Sequence, residues 1–235
     1  MGFKKTAQKV QGVMRKAAQD LMFDSIAKDI ASTGPIEDIE QVFNKGARGF
    51  HGLISPIQSR EELIPVLKLL KKEAIKTVME IGTARGGTLF MLTRVVDPNA
   101  KIISLDLPGG AFGGGYDEKR IPVYKSFALP TQSMNLVRAD SHKEESRDEI
   151  ARVLNGDQID FILIDGDHTY DGVKQDFEMY TPFVRKGGLI GFHDIVYAKG
   201  VKRFWEEVSV QFDESHEFVA QTGRQLGIGL VRKEQ

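Results

Sequence analysis

The sequence has no cysteine, almost no net charge and no long apolar run. Without cysteine, its 235 residues can form no disulfide, thiolate metal site or cysteine nucleophile, and a reducing compartment is favoured. Lysine and arginine number 32 against 33 aspartate and glutamate, so no overall field attracts nucleic acid or an anionic membrane. No segment approaches the roughly 20 apolar residues of a membrane span. We therefore expect a cytoplasmic protein with no nucleic-acid partner and no membrane partner.

The amino-terminal part, residues 1–55, is predicted to be a helical extension of a main domain over residues 56–235. Apolar residues recur at intervals of three and four between Lys4 and Ile30, which is typical of a helix with one buried stripe. Polar residues interrupt this run, so it does not resemble a signal peptide. The stripe could pack on the main domain, cover a substrate site as a lid, or form a homo-oligomer contact.

A capping-box pattern, Ser59-Arg-Glu-Glu62, opens the main domain. In such a box the serine oxygen accepts the Glu62 amide while the glutamate side chain reaches back to the Ser59 amide. This pattern predicts a helix to Lys72. Pro65 is expected to kink that helix or delay its start.

From residue 77 onwards, strand-like and helix-like segments alternate. The strand-like segments are Thr77–Ile81, Lys101–Asp106, Asn135–Asp140, Ile159–Asp165 and Leu189–Asp194. The alternation predicts a Rossmann-like, doubly wound α/β fold with helices on both faces of a mostly parallel sheet. Two last runs, Glu217–Gln221 and Gly227–Arg232, have too short a link for a helix and predict a terminal antiparallel hairpin. The expected sheet has seven strands.

A glycine-rich turn, Glu80-Ile-Gly82-Thr83-Ala-Arg-Gly86-Gly87-Thr88, follows the first of these strands. Gly82 permits a sharp turn, and Gly86 and Gly87 remove side chains where a ligand would approach amides at a helix start. The dinucleotide fingerprint Gly-x-Gly-x-x-Gly needs a glycine where this chain has Ala84, so it is met only in part.

Asp106 ends the next strand and would lie beside the glycine turn in a doubly wound sheet. A carboxylate there can accept hydrogen bonds from ribose hydroxyls, which S-adenosylmethionine and NAD both carry. The turn and Asp106 together therefore indicate a nucleoside-containing cofactor.

These residues resemble the cofactor motif of class I S-adenosylmethionine-dependent methyltransferases. The resemblance spans about Ser55 to Arg232, and the part from Phe161 to Ile195 is similar to the metal-dependent O-methyltransferases of the catechol, caffeoyl-CoA and cephalosporin-hydroxylase-like groups. It implies that Asp106 binds the ribose and that Asp140 and Ser141 contact the adenine. The full set of cofactor-binding residues it implies is Glu80, Gly82, Thr83, Gly86, Gly87, Thr88, Asp106, Asp140, Ser141 and Asp165.

Three further side chains are predicted to form a metal site. Asp165 ends one strand and His193 and Asp194 end the next, and neighbouring parallel strands lie about 4.8 Å apart, so these side chains can converge. Such ligands suit Mg²⁺ or Mn²⁺. The enzymes resembled carry a carboxylate where this chain has His193. Imidazole there favours Mn²⁺, Fe²⁺ or Zn²⁺ over Mg²⁺, or else His193 serves catalysis without a metal.

His168 stands where catechol-type enzymes that resemble this motif carry a lysine. Histidine titrates in the range that a general base needs, so His168 is predicted to deprotonate the acceptor. The alternative is a histidine at a helix start that only bonds the loop.

The expected reaction is methyl transfer to a hydroxyl of a small molecule of sugar, macrolide or phenol type. Residues that would face this acceptor lie in the amino-terminal segment, in the glycine-dense tract Gly109–Gly115 and in the loop Asp167–Tyr170. Two alternatives remain open at this point. One is an NAD-linked Rossmann oxidoreductase, and the other is a non-catalytic adenosylmethionine-binding protein that uses its amino-terminal helix for interaction.

Overall fold

The computed structural model describes residues 21–110 and 115–234. Most of the helix predicted from Lys4 therefore lies outside the described residues, as do residues 111–114 of the glycine-dense tract. The described end of that helix, α1, continues to residue 32. Within the described part of the chain, no helix is long and apolar enough to cross a membrane.

The described part of α1 packs on the main domain. Phe23, Ile26 and Ile30 are buried in the same hydrophobic core as Leu89 and Phe90, which follow the glycine-rich turn. Packing on the main domain, one of the three roles considered for the helix stripe, accounts for these three residues. The boundary between residues 55 and 56 remains a prediction.

Two more helices precede the sheet, α2 (Ile39–Arg48) and α3 (Arg60–Lys72). Asp38 caps α2 by accepting the amide of Glu40. Ser59 and Glu62 form the predicted capping box at the start of α3. Pro65 lies inside α3 and does not delay its start.

Within the described residues seven strands form one sheet, as predicted. They are β1 (Thr77–Ile81), β2 (Lys101–Asp106), β3 (Ser133–Arg138), β4 (Ile159–Ile164), β5 (Val184–His193), β6 (Ser215–Phe218) and β7 (Ile228–Arg232). Their order is β3-β2-β1-β4-β5-β7-β6, in which the first five strands run parallel and β7 runs antiparallel to both β5 and β6. The terminal hairpin is thus inserted with its second strand against β5.

Helices cover both faces of the sheet. They are α4 (Gly87–Val95), α5 (Ile121–Lys125), α6 (Glu144–Leu154), α7 (Tyr170–Tyr180) and α8 (Lys199–Val208). In one hydrophobic core, the helices α1, α2, α3 and α4 pack against one face of the sheet. In a second core, α6, α7 and α8 pack against the other face. Because every residue of β1 is buried between these cores, its apolar side chains need no alternation with polar ones. This arrangement brings the carboxyl ends of β1, β2, β4 and β5 to one edge of the sheet.

Candidate functional site

A cleft of about 280 Å³ opens at the carboxyl ends of β1, β2 and β4. Its lining includes the glycine-rich turn after β1, the end of β2, the loop after β3 and the loop after β4. The described lining residues are Ile81, Gly82, Ala84, Leu105, Asp106, Leu107, Gly110, Gly115, Ala139, Asp140, Ser141, His142, Asp165, Gly166 and Asp167. The cleft lies where the strand order reverses, which is the expected ligand position in an open α/β sheet.

Asp106 presents a buried carboxylate to this cleft. It is 7% exposed, and its Oδ2 atom has no hydrogen-bond partner among the described residues. Burial raises the pKa of Asp106 to about 6, although the amides of Thr83 and Ala84 oppose the rise. A buried acceptor without a partner is costly, so the carboxylate is suited to accept hydroxyl donors from a ligand.

Glu80 is a second buried carboxylate beside the glycine-rich turn. It is 1% exposed, and its Oε2 atom has no partner within the described ranges. Burial holds the pKa of the Glu80 carboxyl well above its usual range, and a hydrogen bond from Thr83 only partly opposes this. The Thr83 hydroxyl also lies 2.7 Å from that of Ser104, which fixes the turn to β2.

The glycines of the turn accommodate close contacts within the protein. At Gly82 the backbone φ is +84°, and a Cβ would lie 2.0 Å from the carbonyl oxygen of Asp165. At Gly87 a Cβ would lie 2.1 Å from the carbonyl oxygen of Ile54. Gly86 has a φ of +85° and packs against the rings of Tyr124 and Phe127. The packing of the protein on itself therefore already requires these three glycines, and their contact with a cofactor remains a prediction.

Gln58 links the turn to the neighbouring strand end. Its amide nitrogen donates to Asp165 Oδ2 at 2.7 Å, and its carbonyl oxygen accepts the Thr88 hydroxyl at 2.9 Å. Thr88 is thus engaged by the protein itself. Sequence reasoning missed Gln58, because a glutamine that precedes a helix carries no motif of its own.

Asp165, His168 and Asp194 form a compact cluster at the ends of β4 and β5. His168 lies between the two carboxylates, with Nε2 3.5 Å from Asp165 Oδ1 and Nδ1 3.3 Å from Asp194 Oδ2. One ligand atom from each of the three residues lies within 4.8 Å of the other two. This spacing is compatible with a shared divalent ion, for which carboxylate and imidazole are suitable ligands.

His193 lies against Asp165 at the end of β5, as predicted, and its role as a metal ligand remains a prediction. Its ring is 2% exposed, Nδ1 lies 2.9 Å from Asp165 Oδ1, and Nε2 is buried with no partner among the described side chains. The convergence of Asp165, His193 and Asp194 is present, but the three-residue group with metal-ligand spacing contains His168. His193 is placed to orient Asp165 from behind.

The charges in this cluster depend on one another. Burial acts to raise the pKa of Asp165, but the nearby His193 and His168 outweigh it and leave that pKa lowered. The hydrogen bond to Asp165 raises the pKa of His168. Burial raises the pKa of Asp194, whose carboxyl is 7% exposed as a side chain. The cluster therefore combines an ionised carboxylate with a histidine that holds its proton more tightly than usual.

The loop after β3 contributes Asp140, Ser141 and His142 to the cleft. Asp140 accepts the amide of His142, and the Ser141 carbonyl oxygen accepts the hydroxyl of Tyr180. The Nε2 atom of His142 lies 3.3 Å from Oδ1 of the fully buried Asp176. No sequence signal joins these two residues, which are 34 positions apart.

Residues 79–195, which contain the glycine-rich turn and the cluster, match the family described as a methyltransferase domain. The chain belongs to this methyltransferase family. A curated relative, an uncharacterized protein of Acanthamoeba polyphaga mimivirus, is 32% identical over 118 residues. That match covers 50% of this methyltransferase and 51% of the relative, so the chain spans about half the length of the relative it matches.

Solved structures share the fold of this methyltransferase. The O-methyltransferase TomG of Streptomyces achromogenes, involved in tomaymycin synthesis and solved with SAM, is 17% identical with a TM-score of 0.52, over 90% of this chain and 96% of TomG. An O-methyltransferase of Bacillus cereus in complex with SAH is 18% identical with a TM-score of 0.52, over 89% and 97%. The calicheamicin methyltransferase CalS11 is 15% identical with a TM-score of 0.57, over 90% and 91%. At identities this low, the structural likeness shows the fold alone. It confirms the Rossmann-like fold that was predicted from the sequence.

Proposed function

We propose that this methyltransferase transfers the methyl group of S-adenosylmethionine to a hydroxyl oxygen of a small-molecule acceptor. The observation that carries the proposal is the juxtaposition of two sites at one sheet edge. A cleft with the orphaned carboxylate of Asp106 adjoins the cluster of Asp165, His168 and Asp194, and Asp165 belongs to both. TomG and the Bacillus cereus protein, which share the fold, are O-methyltransferases, and this supports an oxygen acceptor.

The cleft fits the proposed cofactor. Asp106 would accept the ribose hydroxyls, and Asp140 and Ser141 would lie against the adenine. Glu80 and the turn over Gly82–Thr88 would hold the methionine end, next to Asp165. The family match and the antiparallel β7 favour this cofactor over NAD, for which the glycine spacing is incomplete.

We infer that His168 governs the proton of the acceptor hydroxyl. As the acceptor oxygen forms its bond to the methyl carbon, the carbon–sulfur bond breaks and its electron pair stays on sulfur. The hydroxyl proton passes to His168 in its neutral form. Asp165 and Asp194 on either side of the ring stabilise the imidazolium that results. Alignment of oxygen and methyl carbon by the surrounding residues supplies much of the acceleration.

A divalent ion, Mg²⁺ or Mn²⁺, is the second part of the proposal. Asp165, His168 and Asp194 are the residues that would hold it, and the buried Oδ1 atom of Asp194 has no partner among the described residues. Such an ion, when bound, lowers the pKa of a hydroxyl that it ligates. A nitrogen of His168 that binds the ion cannot accept a proton, so the two roles of that nitrogen exclude each other.

Chelation separates these roles. The assay follows transfer of a labelled methyl group from S-adenosylmethionine to a panel of phenols, sugars and hydroxy acids. Activity that is lost with a chelator and restored by Mn²⁺ assigns His168 to the ion. Activity that survives chelation but falls in His168→Gln by at least about a hundredfold assigns it to the base. No transfer to any acceptor, with full binding of S-adenosylhomocysteine, supports the non-catalytic alternative.

A further inference from the structure

Arg224 is a cation that forms no ion pair with any described residue. It lies in the loop between β6 and β7, and its guanidinium stacks over the ring of Tyr197 at 4.6 Å. Across the described part of the chain it makes no ion pair and no hydrogen bond. Arg203, which stacks over the partly buried ring of Tyr170, is by contrast also paired with Glu207. The unpaired guanidinium is therefore free to bind an anion from solution.

The loop that carries Arg224 is fixed to the segment after β5. The amide of Val196 donates to the carbonyl oxygen of Leu226 at 2.9 Å. The completely buried Glu62 accepts the amides of Leu226 and Gly227 at 3.0 and 2.8 Å. Arg224 lies two residues before Leu226. These hydrogen bonds therefore hold the backbone next to Arg224 in place relative to β5.

The segment after β5 begins at Asp194, which belongs to the cluster. Val196 and Tyr197 lie two and three residues after Asp194, and both are exposed, at 38% and 60%. The positive charge of Arg224 is near enough to oppose the effect of burial on the Asp194 carboxyl. Arg224 does not line the cleft described above. A group bound to Arg224 would therefore leave that cleft to the cofactor.

We propose that Arg224 binds an anionic group of the acceptor, so that the substrate is a hydroxyl compound bearing a carboxylate or a phosphate. A guanidinium forms paired hydrogen bonds to either group, and stacking on Tyr197 restricts its rotation before the acceptor binds. Val196, which is 38% exposed, provides apolar surface next to Tyr197. This inference rests on the proposed methyl transfer at the adjacent cluster.

Binding to the full chain loaded with S-adenosylhomocysteine tests the inference by calorimetry. Two matched pairs of probes are used, 3,4-dihydroxybenzoate with catechol and glucose 6-phosphate with glucose. We expect the anionic member of at least one pair to bind about tenfold or more tightly than its neutral counterpart. Arg224→Gln should abolish that preference, whereas the control Arg203→Gln should retain it.

Each outcome bears on the proposal. Equal affinities within both pairs, no binding of either anion, or a preference that survives in Arg224→Gln would overturn it. The pair that shows the preference identifies carboxylate or phosphate as the anion. Affinity for S-adenosylhomocysteine, measured in the same samples, should be unchanged in Arg224→Gln. If the unmodified chain did not bind S-adenosylhomocysteine, the proposed function would be contradicted. Failure of the proposed function is thus distinguishable from failure of the Arg224 proposal.

Discussion

His142 Nε2 lies 3.3 Å from Asp176 Oδ1, and this pair joins the loop after β3 to α7. The Asp176 side chain is completely buried, and a Cβ placed on Gly166 would lie 3.2 Å from its Oδ2 atom. His142 and Gly166 both line the cleft, and Gly166 directly follows Asp165 of the cluster. The pair therefore lies beneath the junction of the cleft and the cluster.

The His142–Asp176 pair should make stability depend on pH. Donation from the His142 ring to the Asp176 carboxylate raises the pKa of His142, and burial opposes this rise. A raised pKa in the folded state gives stability that is fully present below the unfolded value of about 6.5 and is lost as pH rises through the folded pKa. We expect Asp176→Asn to lower the free energy of unfolding by about 1 to 3 kcal/mol at low pH and by less at high pH.

Urea unfolding across pH measures this effect. The difference between the unmodified chain and Asp176→Asn should shrink as pH rises from about 5.5 to about 8.5. In a His142→Asn background the Asp176→Asn substitution should lose most of this pH dependence. A difference that stays constant over the range would show that the imidazolium is not what Asp176 stabilises.

Gln58 should support catalysis by fixing Asp165. Gln58→Leu removes both its hydrogen bond to Asp165 and its bond to Thr88, and leaves buried polar atoms without partners. We expect the rate of methyl transfer to fall by about tenfold or more, because a small displacement of Asp165 disturbs the alignment of the reacting groups. Gln211→Leu, which removes an exposed bond to the Glu207 carbonyl oxygen, is the matched control and should keep its rate. Equal rates in both variants would contradict this role.

Gly87 should contribute to the stability of the fold. In Gly87→Ala the new Cβ would meet the backbone of Ile54 and Pro56 at 2.1 and 2.5 Å, and neither can move without shifting the segment before α3. We expect the free energy of unfolding to fall by about 1 to 3 kcal/mol. Gly34→Ala, where a Cβ meets nothing within 4 Å, should change it by less than about 0.5 kcal/mol.

The same pair of variants separates packing from ligand contact at Gly87. Chemical denaturation gives the stability, and calorimetry gives the affinity for S-adenosylhomocysteine. A Gly87→Ala variant with unchanged stability and abolished affinity would show that this glycine serves the cofactor alone.

The sequence predicted the sheet well because buried parallel strands leave continuous apolar runs. β1 and β2 have the predicted bounds, and β7 differs by one residue. β5 was expected to start at Leu189 but starts at Val184, because Lys186-Gly-Gly188 interrupts the apolar run that marks a strand. β6 was predicted two residues late, since three of its four residues are exposed and its pairing with β7 is not visible in its own pattern.

The candidate site was predictable in position but not in detail. Chain order places Asp165, His193 and Asp194 at neighbouring strand ends, and the structure brings them together. The direction of each side chain depends on the backbone after the strand, where Asp194 has a positive φ of 62°. That turn places Asp194 against His168, while His193 remains buried behind Asp165. The alternation of side chains along a strand does not predict these two side-chain directions.

Cofactor binding through Asp106 is the central claim, and calorimetry tests it most directly. The chain should bind S-adenosylhomocysteine saturably and show no binding of NAD. Asp106→Ala should weaken the affinity for S-adenosylhomocysteine by about tenfold or more, because it removes the buried acceptor for the ribose hydroxyls. Asp97→Ala, which removes a carboxylate from the turn before β2, should bind like the unmodified chain. Saturable binding of NAD without binding of S-adenosylhomocysteine, or full affinity in Asp106→Ala, would contradict the account.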